Sequence, residues 1–223
     1  MDAALVPLLL TLKVAAWASV LATIAGVAAG WLLAKIKFPG RGIVDALLLL
    51  PMVLPPTVLG YYLLTGFAPT APLGAAYQSL FGAPLAFTFQ GLLVASLIAN
   101  IPFAVQPVQR AFEAIAPEVR EAAWVAGLSN WQTFWRIELP LAWPGLATAF
   151  VLTFAHTLGE FGVVLMVGGN IPGETRTAAV AIYDRVQALD DASAGAMAAL
   201  LLAIAFIAIA FVYWLDYRRR RHG

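Results

Sequence analysis

Long apolar stretches constrain this chain more than any other feature of its sequence. Five segments each hold about 20 or more mainly apolar residues, the length that a helix needs to cross a hydrocarbon core of about 30 Å. They cover about 5–34, 43–67, 85–105, 144–167 and 192–215. Transmembrane strands are excluded, because they would alternate polar and apolar residues. The sequence therefore predicts an all-α integral membrane protein, a polytopic bundle of five strong transmembrane helices with room for a sixth short or interfacial one.

Composition agrees with a membrane location. Charged residues make up 11% of the chain and hydrophobic residues 62%, whereas soluble domains carry about 25% charged residues. The chain has no cysteine, which excludes a disulfide framework, a thiol nucleophile and a cysteine-ligated metal site. The N-terminus lacks a basic region and enters an apolar stretch too long for a signal peptide, so we expect it to be retained as a span.

Basic residues collect on one side of the predicted spans. If the N-terminus lies outside, only Arg176 and Arg185 face outward. The basic residues on the inner side are Lys35, Lys37, Arg41, Arg110, Arg120, Arg136 and Arg218 to Arg221. Because lysine and arginine favour cytoplasmic loops, we predict a multi-pass protein of the cell (inner) membrane with a cytoplasmic C-terminus. We interpret the C-terminal arginine run as an anchor beside anionic lipid of the bilayer, not as a site for nucleic acid.

The inner segment 106–143 is too polar to cross the membrane and is patterned as two short helices. Pro117 suits the first helical position, and Gly127 can end that helix in a left-handed conformation. A capping box at Ser129 predicts the start of the second helix, which we expect to stop near Pro140. The sequence therefore predicts a helix–turn–helix on the cytoplasmic face.

Large aromatic rings alternate with charged side chains in this segment, and the pattern has two interpretations. Trp124, Trp131 and Trp135 could be anchors that dock a partner protein, since aromatic rings within a polar rim are typical of interface centres. They could instead lie at the level of the lipid headgroups. The charged residues of the predicted exposed rim are Glu118, Arg120, Glu121, Arg136 and Glu138.

A spaced motif in the same segment resembles a known family. Glu121-Ala122-Ala123 is followed after three residues by Gly127 and after nine more by Ile137-x-Leu139-Pro140. This pattern resembles the cytoplasmic EAA loop of ABC-importer permease subunits. The resemblance implies a single transmembrane permease domain of the type I importer kind over 1–223, with a cytoplasmic coupling loop at about 106–143. It also implies that the motif residues couple the permease to an ATPase: Glu121, Ala122, Ala123, Gly127, Ile137, Leu139 and Pro140.

Energy for such a transporter must come from another chain. The three lysines, Lys13, Lys35 and Lys37, do not follow a glycine, so the G-x-x-x-x-G-K-[ST] phosphate loop is absent. We therefore expect a transport subunit that is not an enzyme and binds no cofactor, with ATP and magnesium on the partner. The resemblance implies a dimer of ABC ATPase subunits and a second copy of this chain as partners.

Polar residues in the fourth span are candidates for a gate or cavity lining, because a central charge in a span costs about 2.5–3.5 kcal/mol. Thr153, His156 and Glu160 lie there, and the last two are four residues apart on one helical face. The alternative is a local His–Glu hydrogen bond that only satisfies two buried groups. A zinc peptidase is excluded, since the second histidine of H-E-x-x-H is missing.

Other spans carry backbone-breaking and small residues. Pro55 and Pro56, with Pro51, should kink or interrupt the second span, forming either a wall of the pathway or a purely structural kink. Asn100 is a similar pathway candidate in the third span. The pair Gly26-x-x-x-Gly30 in the first span is either a helix-packing face or a chance spacing in a helix rich in alanine and glycine.

The last third of the chain narrows the resemblance. The segments Phe154 to Gly162, Gly168 to Gly173 and Thr175 to Thr177 resemble the molybdate branch of the oxyanion permeases. That branch implies molybdate as cargo, does not separate it from near-isosteric tungstate, and implies an extracytoplasmic molybdate-binding protein as a partner. A sulfate or thiosulfate ABC permease is the alternative within the family. An ion-coupled secondary carrier, with His156 and Glu160 as a proton relay, is the alternative from another class.

Overall fold

The computed structural model describes residues 5–36 and 38–220, with the side chains of 212 and 215–220 left aside. Lys37 and Arg221, which count toward the predicted cytoplasmic charge, lie outside the described residues, as do the side chains of Arg218 to Arg220. The described ranges contain helices and turns and no strand. The predicted all-α class is therefore confirmed.

Twelve α-helices and one π-helical turn follow one another in the described part of the chain. They are α1 (Leu5–Lys35), α2 (Arg41–Val53), α3 (Pro56–Phe67), α4 (Pro72–Phe81), α5 (Phe89–Ala99), α6 (Ile101–Glu113), α7 (Pro117–Val125), α8 (Asn130–Thr133), the π turn (Phe134–Glu138), α9 (Leu139–Gly159), α10 (Gly162–Gly168), α11 (Ala178–Gln187) and α12 (Asp191–Arg220).

Five membrane crossings are compatible with the length and composition of these helices. Three stretches are long and apolar enough alone, namely α1, the continuous helix Asn130–Gly159, and Asp191–Phe211 of α12. Two bent pairs qualify as one crossing each: α2 with α3, bent by 106°, and α5 with α6, bent by 45°. The predicted second and third spans are therefore broken helices. The short α4 was not predicted as a separate helix.

Two predicted boundaries of the inner segment are wrong. The segment does not begin at 106, because α6 continues to Glu113 and buries Val108 and Phe112 against the bundle. The helix after Ser129 does not stop near Pro140, because it runs on through a π turn into α9. In that turn Leu139 N–H donates to the carbonyl of Phe134, five residues back. This wider turn relieves the clash that a proline ring makes inside an α-helix.

Close packing of α1 on α6 decides for a helix-packing face at Gly26 and Gly30 and against a chance spacing. A Cβ atom added to Gly26 would lie 2.6 Å from the carbonyl oxygen of Ala104, and one added to Gly30 would lie 2.8 Å from the backbone nitrogen of Gln109. Backbone atoms cannot move aside as a flexible side chain can. Small residues at these positions therefore allow the two helices to touch.

Substitution of Gly30 by leucine is expected to prevent native packing of α1. Overpacking a tight interface costs about 1–3 kcal/mol or more, and here the obstacle is backbone. We expect the monodisperse fraction in size-exclusion chromatography and the detergent melting temperature to fall. Gly195→Leu in α12 is the control, since nothing lies within 4 Å of a Cβ added there. Equal behaviour of the two variants would contradict the assigned packing.

Candidate functional site

The turn between α7 and α8 has the predicted geometry. Helix α7 begins at Pro117, and Gly127 has a φ of 84°. Gly127 N–H donates to the carbonyl of Trp124 at 2.9 Å, and Leu128 N–H donates to that of Ala123 at 3.0 Å. These two bonds close the helix end on a left-handed residue, a conformation that glycine adopts without strain. The predicted bend at Gly127 is confirmed.

Helix α8 begins with the predicted capping box. The Ser129 hydroxyl accepts a bond from Gln132 N–H at 3.3 Å, and the Gln132 side chain accepts one from Ser129 N–H at 2.9 Å. The otherwise unpaired donors of this helix start are thereby satisfied locally. Both sides of the turn are thus fixed by short-range hydrogen bonds, and the turn holds α7 and α8 at a defined angle.

One face of α7 is open to a partner in the described structure. Glu121 and Ala122 are exposed, and the exposed fractions are 47% for Trp124 and 90% for Val125. Ala123 alone among the nine residues of this helix is buried. An exposed tryptophan on a short helix is typical of a protein-docking surface, because aromatic residues are enriched at interfaces.

The other two tryptophans lie in a different environment. Trp131 and Trp135 flank an apolar groove of about 330 Å³ whose opposite wall is α1, including Trp31 and Leu32. Their rings contact each other and Phe134 edge-on or stacked. A groove bounded by a membrane-spanning helix favours the headgroup-level interpretation for this pair. Of the three tryptophans predicted to dock a partner, Trp124 is the one that lies on α7, where it is exposed.

The second half of the motif lies away from the exposed turn. Ile137 belongs to the π turn, and Leu139 and Pro140 begin α9. Leu139 packs on the core cluster formed around Val108, Phe112 and Phe134. The motif therefore divides into an exposed part on α7 and a part that joins α8 to a membrane-crossing helix.

Three helix breaks lie close to one another. Helices α2 and α3 separate at Leu54 and Pro55, α5 and α6 at Asn100, and α9 and α10 at Glu160 and Phe161. Gly162, at the α9–α10 break, packs against the α2–α3 break, since a Cβ added to Gly162 would lie 2.7 Å from Cβ of Pro56. Asn100 Nδ2 donates to Thr157 Oγ1 of α9 at 3.0 Å. The structure thus brings together elements that the sequence offered only as separate pathway candidates.

Buried polar atoms without hydrogen-bond partners lie at or near the breaks after α5 and α9. Among the described residues they include Ser96 Oγ, Asn100 Oδ1, Thr153 Oγ1 and His156 Nδ1. Unpaired polar groups in an apolar interior are costly, and irregular backbone at membrane depth occurs where it is buried in protein or lines a water-filled cavity. Ser96 was missed from the sequence, although it lies one helical turn before Asn100.

The predicted local hydrogen bond between His156 and Glu160 is not formed. His156 Nε2 and Glu160 Oε2 are 3.8 Å apart, beyond hydrogen-bond length. Because α9 ends at Gly159, the Glu160 side chain instead accepts a bond from Val163 N–H at 3.0 Å, at the start of α10. The His156 ring stacks on Phe103 with centroids 4.4 Å apart. Glu160 is therefore a backbone cap at a helix break.

Comparison with known proteins decides the family. A family model described as "Binding-protein-dependent transport system inner membrane component" matches residues 22–221. The chain belongs to this family. It is a permease of the inner membrane.

Curated relatives of the permease cover nearly its whole length. It is 46% identical over 204 residues to the molybdenum transport system permease protein ModB of Azotobacter vinelandii, covering 92% of this chain and 90% of that protein. It is 36% identical to ModB of Escherichia coli K12, covering 93% and 91% respectively. The sulfate transport permease CysT of the same strain is 35% identical, but only 75% of it is covered.

Solved structures share the fold of the permease. A bacterial ABC transporter that imports the acidic polysaccharide alginate matches with a TM-score of 0.78 at 17% identity, covering 98% of this chain and 80% of that chain. An amino acid ABC transporter matches with a TM-score of 0.63 at 15% identity, covering 97% and 94%. These likenesses confirm an ABC-importer permease fold for the chain.

Proposed function

We propose that this permease is the membrane subunit of an ATP-driven importer of molybdate, powered by separate ATPase chains. The observation that carries the proposal is the exposed Glu121–Gly127 turn in a chain that aligns over 92% of its length with a molybdenum transport permease. The missing phosphate loop supports an ATPase on another chain. The aligned share of each relative supports molybdate over sulfate. The alignment covers 90% of the molybdenum permease but only 75% of the sulfate permease, which extends beyond the aligned region.

Docking of α7 converts ATP binding into motion of the spans. The open face with Glu121, Trp124 and Val125 enters a cleft of the ATPase, and closure of the paired ATPases moves α7 with it. Short helices held by the Gly127 turn transmit such a displacement without bending. The spans then alternate between outward-open and inward-open forms.

The converging helix breaks form the pathway wall. Unpaired atoms at Ser96, Asn100 and Thr153 offer hydrogen bonds to water around a passing anion. The carboxylate of Glu160 opposes tight binding of an oxyanion, and weak binding suits conduction because it permits release. Selectivity therefore belongs to an extracytoplasmic binding protein that delivers the cargo.

The segment around α11 receives that binding protein. Asn170 Nδ2 donates to both carboxylate oxygens of Asp184 at 2.9 and 2.7 Å. The Asn170 side-chain oxygen accepts a bond from Arg176 Nε at 2.5 Å. This network fixes the 168–173 loop against α11 and forms a preformed polar surface. With the N-terminus outside, as the distribution of basic residues predicts, this surface lies on the outer face of the membrane.

A second copy of the permease completes the transporter. One chain leaves apolar side chains of α2 open, with exposed fractions of 68% for Ile43 and 76% for Val53. Pro55 and Pro56, beside the helix breaks, are also exposed in the single chain. A paired copy across this face encloses the pathway between two sets of breaks.

Reconstitution tests the proposal. Proteoliposomes containing the permease with its ATPase and binding protein should accumulate labelled molybdate only when ATP is supplied. Tungstate should compete strongly and sulfate weakly. Gradient-driven uptake by the permease alone would establish the secondary carrier instead, and stronger competition by sulfate than by tungstate would establish the sulfate permease.

A further inference from the structure

Glu138 is a fully buried carboxylate at the end of the π turn. Trp31 Nε1 donates to its Oε2 at 2.8 Å, and Lys35 Nζ lies 3.0 Å from the same oxygen. Arg120 Nε donates to its Oε1 at 2.5 Å. One oxygen therefore holds the end of α1, and the other holds α7. The prediction that Glu138 and Arg120 belong to an exposed charged rim is wrong.

Such burial is tolerated only because the charge is fully paired. An isolated carboxylate in an apolar interior is very costly, whereas two cations and an indole donor compensate it here. Neutralising Glu138 would leave two cations without their anion, whereas loss of one cation leaves the other paired with the carboxylate, so the cluster is most sensitive at Glu138. The cluster is thus a joint that holds its elements in one geometry.

Arg120 extends this joint to a fourth element. Its Nη2 donates to the carbonyl of Phe112 in α6 at 2.8 Å, and its Nη1 donates to that of Ile115 at 3.3 Å. Phe112 lies in the last turn of α6 and Ile115 lies two residues beyond its end, a region where carbonyl groups lack helical partners. The guanidinium of α7 therefore ties together α6, the π turn and, through Glu138, α1.

Apolar packing contributes little to the attachment of α7. Ala123 is its single buried residue, and the large side chains of Trp124 and Val125 point outward. The ion cluster around Glu138 is consequently the main attachment of α7 to the membrane bundle. A π turn at the joint agrees with this, since such turns occur often at functional sites.

We propose that Glu138 is a positioning residue that transmits displacement of α7 to α1 and α9. The inference rests on the proposed function, in which an ATPase moves α7. With Glu138 in place, α7, the end of α1 and the start of α9 move as one body. Without its charge, α7 follows the ATPase while the spans lag behind, so ATP is hydrolysed without transport.

Glu138→Gln tests this role in the reconstituted transporter with labelled molybdate. We expect molybdate transported per ATP hydrolysed to fall about five-fold or more, with uptake lost far more than ATP hydrolysis. A merely structural defect would lower both rates in proportion. Glu113→Gln is the matched control, because Glu113 is also a hydrogen-bonded carboxylate, but its partners Arg41 at 2.8 Å and Gln109 at 2.9 Å belong to α2 and α6 and not to α7. We expect its ratio to match wild type.

Arg120→Gln tests the joint from the other side and covers the case in which Glu138→Gln fails to assemble. In Arg120→Gln the charge of Glu138 is still compensated by Lys35, so we expect the transporter to assemble. The amount of molybdate transported per ATP hydrolysed should nevertheless fall as in Glu138→Gln. Wild-type ratios in either assembled variant, proportional loss of both rates, or assembly failure of both variants would overturn the inference. A wild-type transporter without ATP-driven uptake would instead overturn the proposed function.

Discussion

Replacing Gly127 by alanine is expected to lower ATP-driven uptake about ten-fold while leaving the permease inserted and folded. An alanine at a φ of 84° costs about 1–2 kcal/mol. The turn relieves this strain by shifting α7 relative to α8, which misplaces Glu121 and Trp124 for docking. Since nothing lies within 4 Å of an added Cβ, no steric clash accompanies the change. Uptake and co-purification of the ATPase with the permease measure the effect.

Gly40→Ala is a closely matched control. Gly40 also has a left-handed φ, 93°, and open space around an added Cβ. It precedes α2, outside the α7–α8 turn, so the same local strain should leave docking intact. Equal losses in the two variants would mean that strain alone lowers uptake, and that the Gly127 turn has no special part in coupling.

Features determined within a few residues were predictable from the sequence. The length of an apolar segment determines whether it can cross the membrane. Local residues define the ends of α7 and α8: Pro117 begins α7, Gly127 closes it, and Ser129 caps α8. These interactions need no knowledge of the rest of the fold. The crossings and the helical turn therefore agree with the structure.

Features that depend on distant partners were not predictable in this way. Asn100 bonds to Thr157, 57 residues away, and Gly162 packs on Pro56. The sequence marked most of these residues as polar or helix-breaking but could not show that the three breaks meet. The continuation through Pro140 was missed because a π turn leaves no strong local signature.

Glu138 illustrates the same limit for charge. In the sequence it is one acid among several beside the motif, and a charged residue is usually exposed. Its partner Trp31 is 107 residues away and Arg120 is 18 away. Only the fold shows that the residue between Ile137 and Leu139 turns inward.

Replacing Glu160 by alanine is expected to lower ATP-driven uptake about ten-fold or more, because the buried Val163 N–H loses its acceptor at a cost of about 1–3 kcal/mol. That bond fixes the start of α10 beside the other two helix breaks. Glu160→Gln keeps a side-chain oxygen that can accept the same bond but cannot exchange a proton. We expect its uptake to stay within about two-fold of wild type.

This pair of variants separates a cap from a proton relay. A secondary carrier that moves protons through His156 and Glu160 would be inactivated equally by glutamine and alanine, since both remove the titrating group. If Glu160 is a cap, glutamine should keep activity and alanine should not, because only the glutamine amide oxygen can replace the carboxylate oxygen as acceptor. Uptake of labelled molybdate by both variants, with ATP and with an imposed proton gradient, gives the comparison. Loss of uptake in both variants would contradict the capping role of Glu160 and support a proton relay instead.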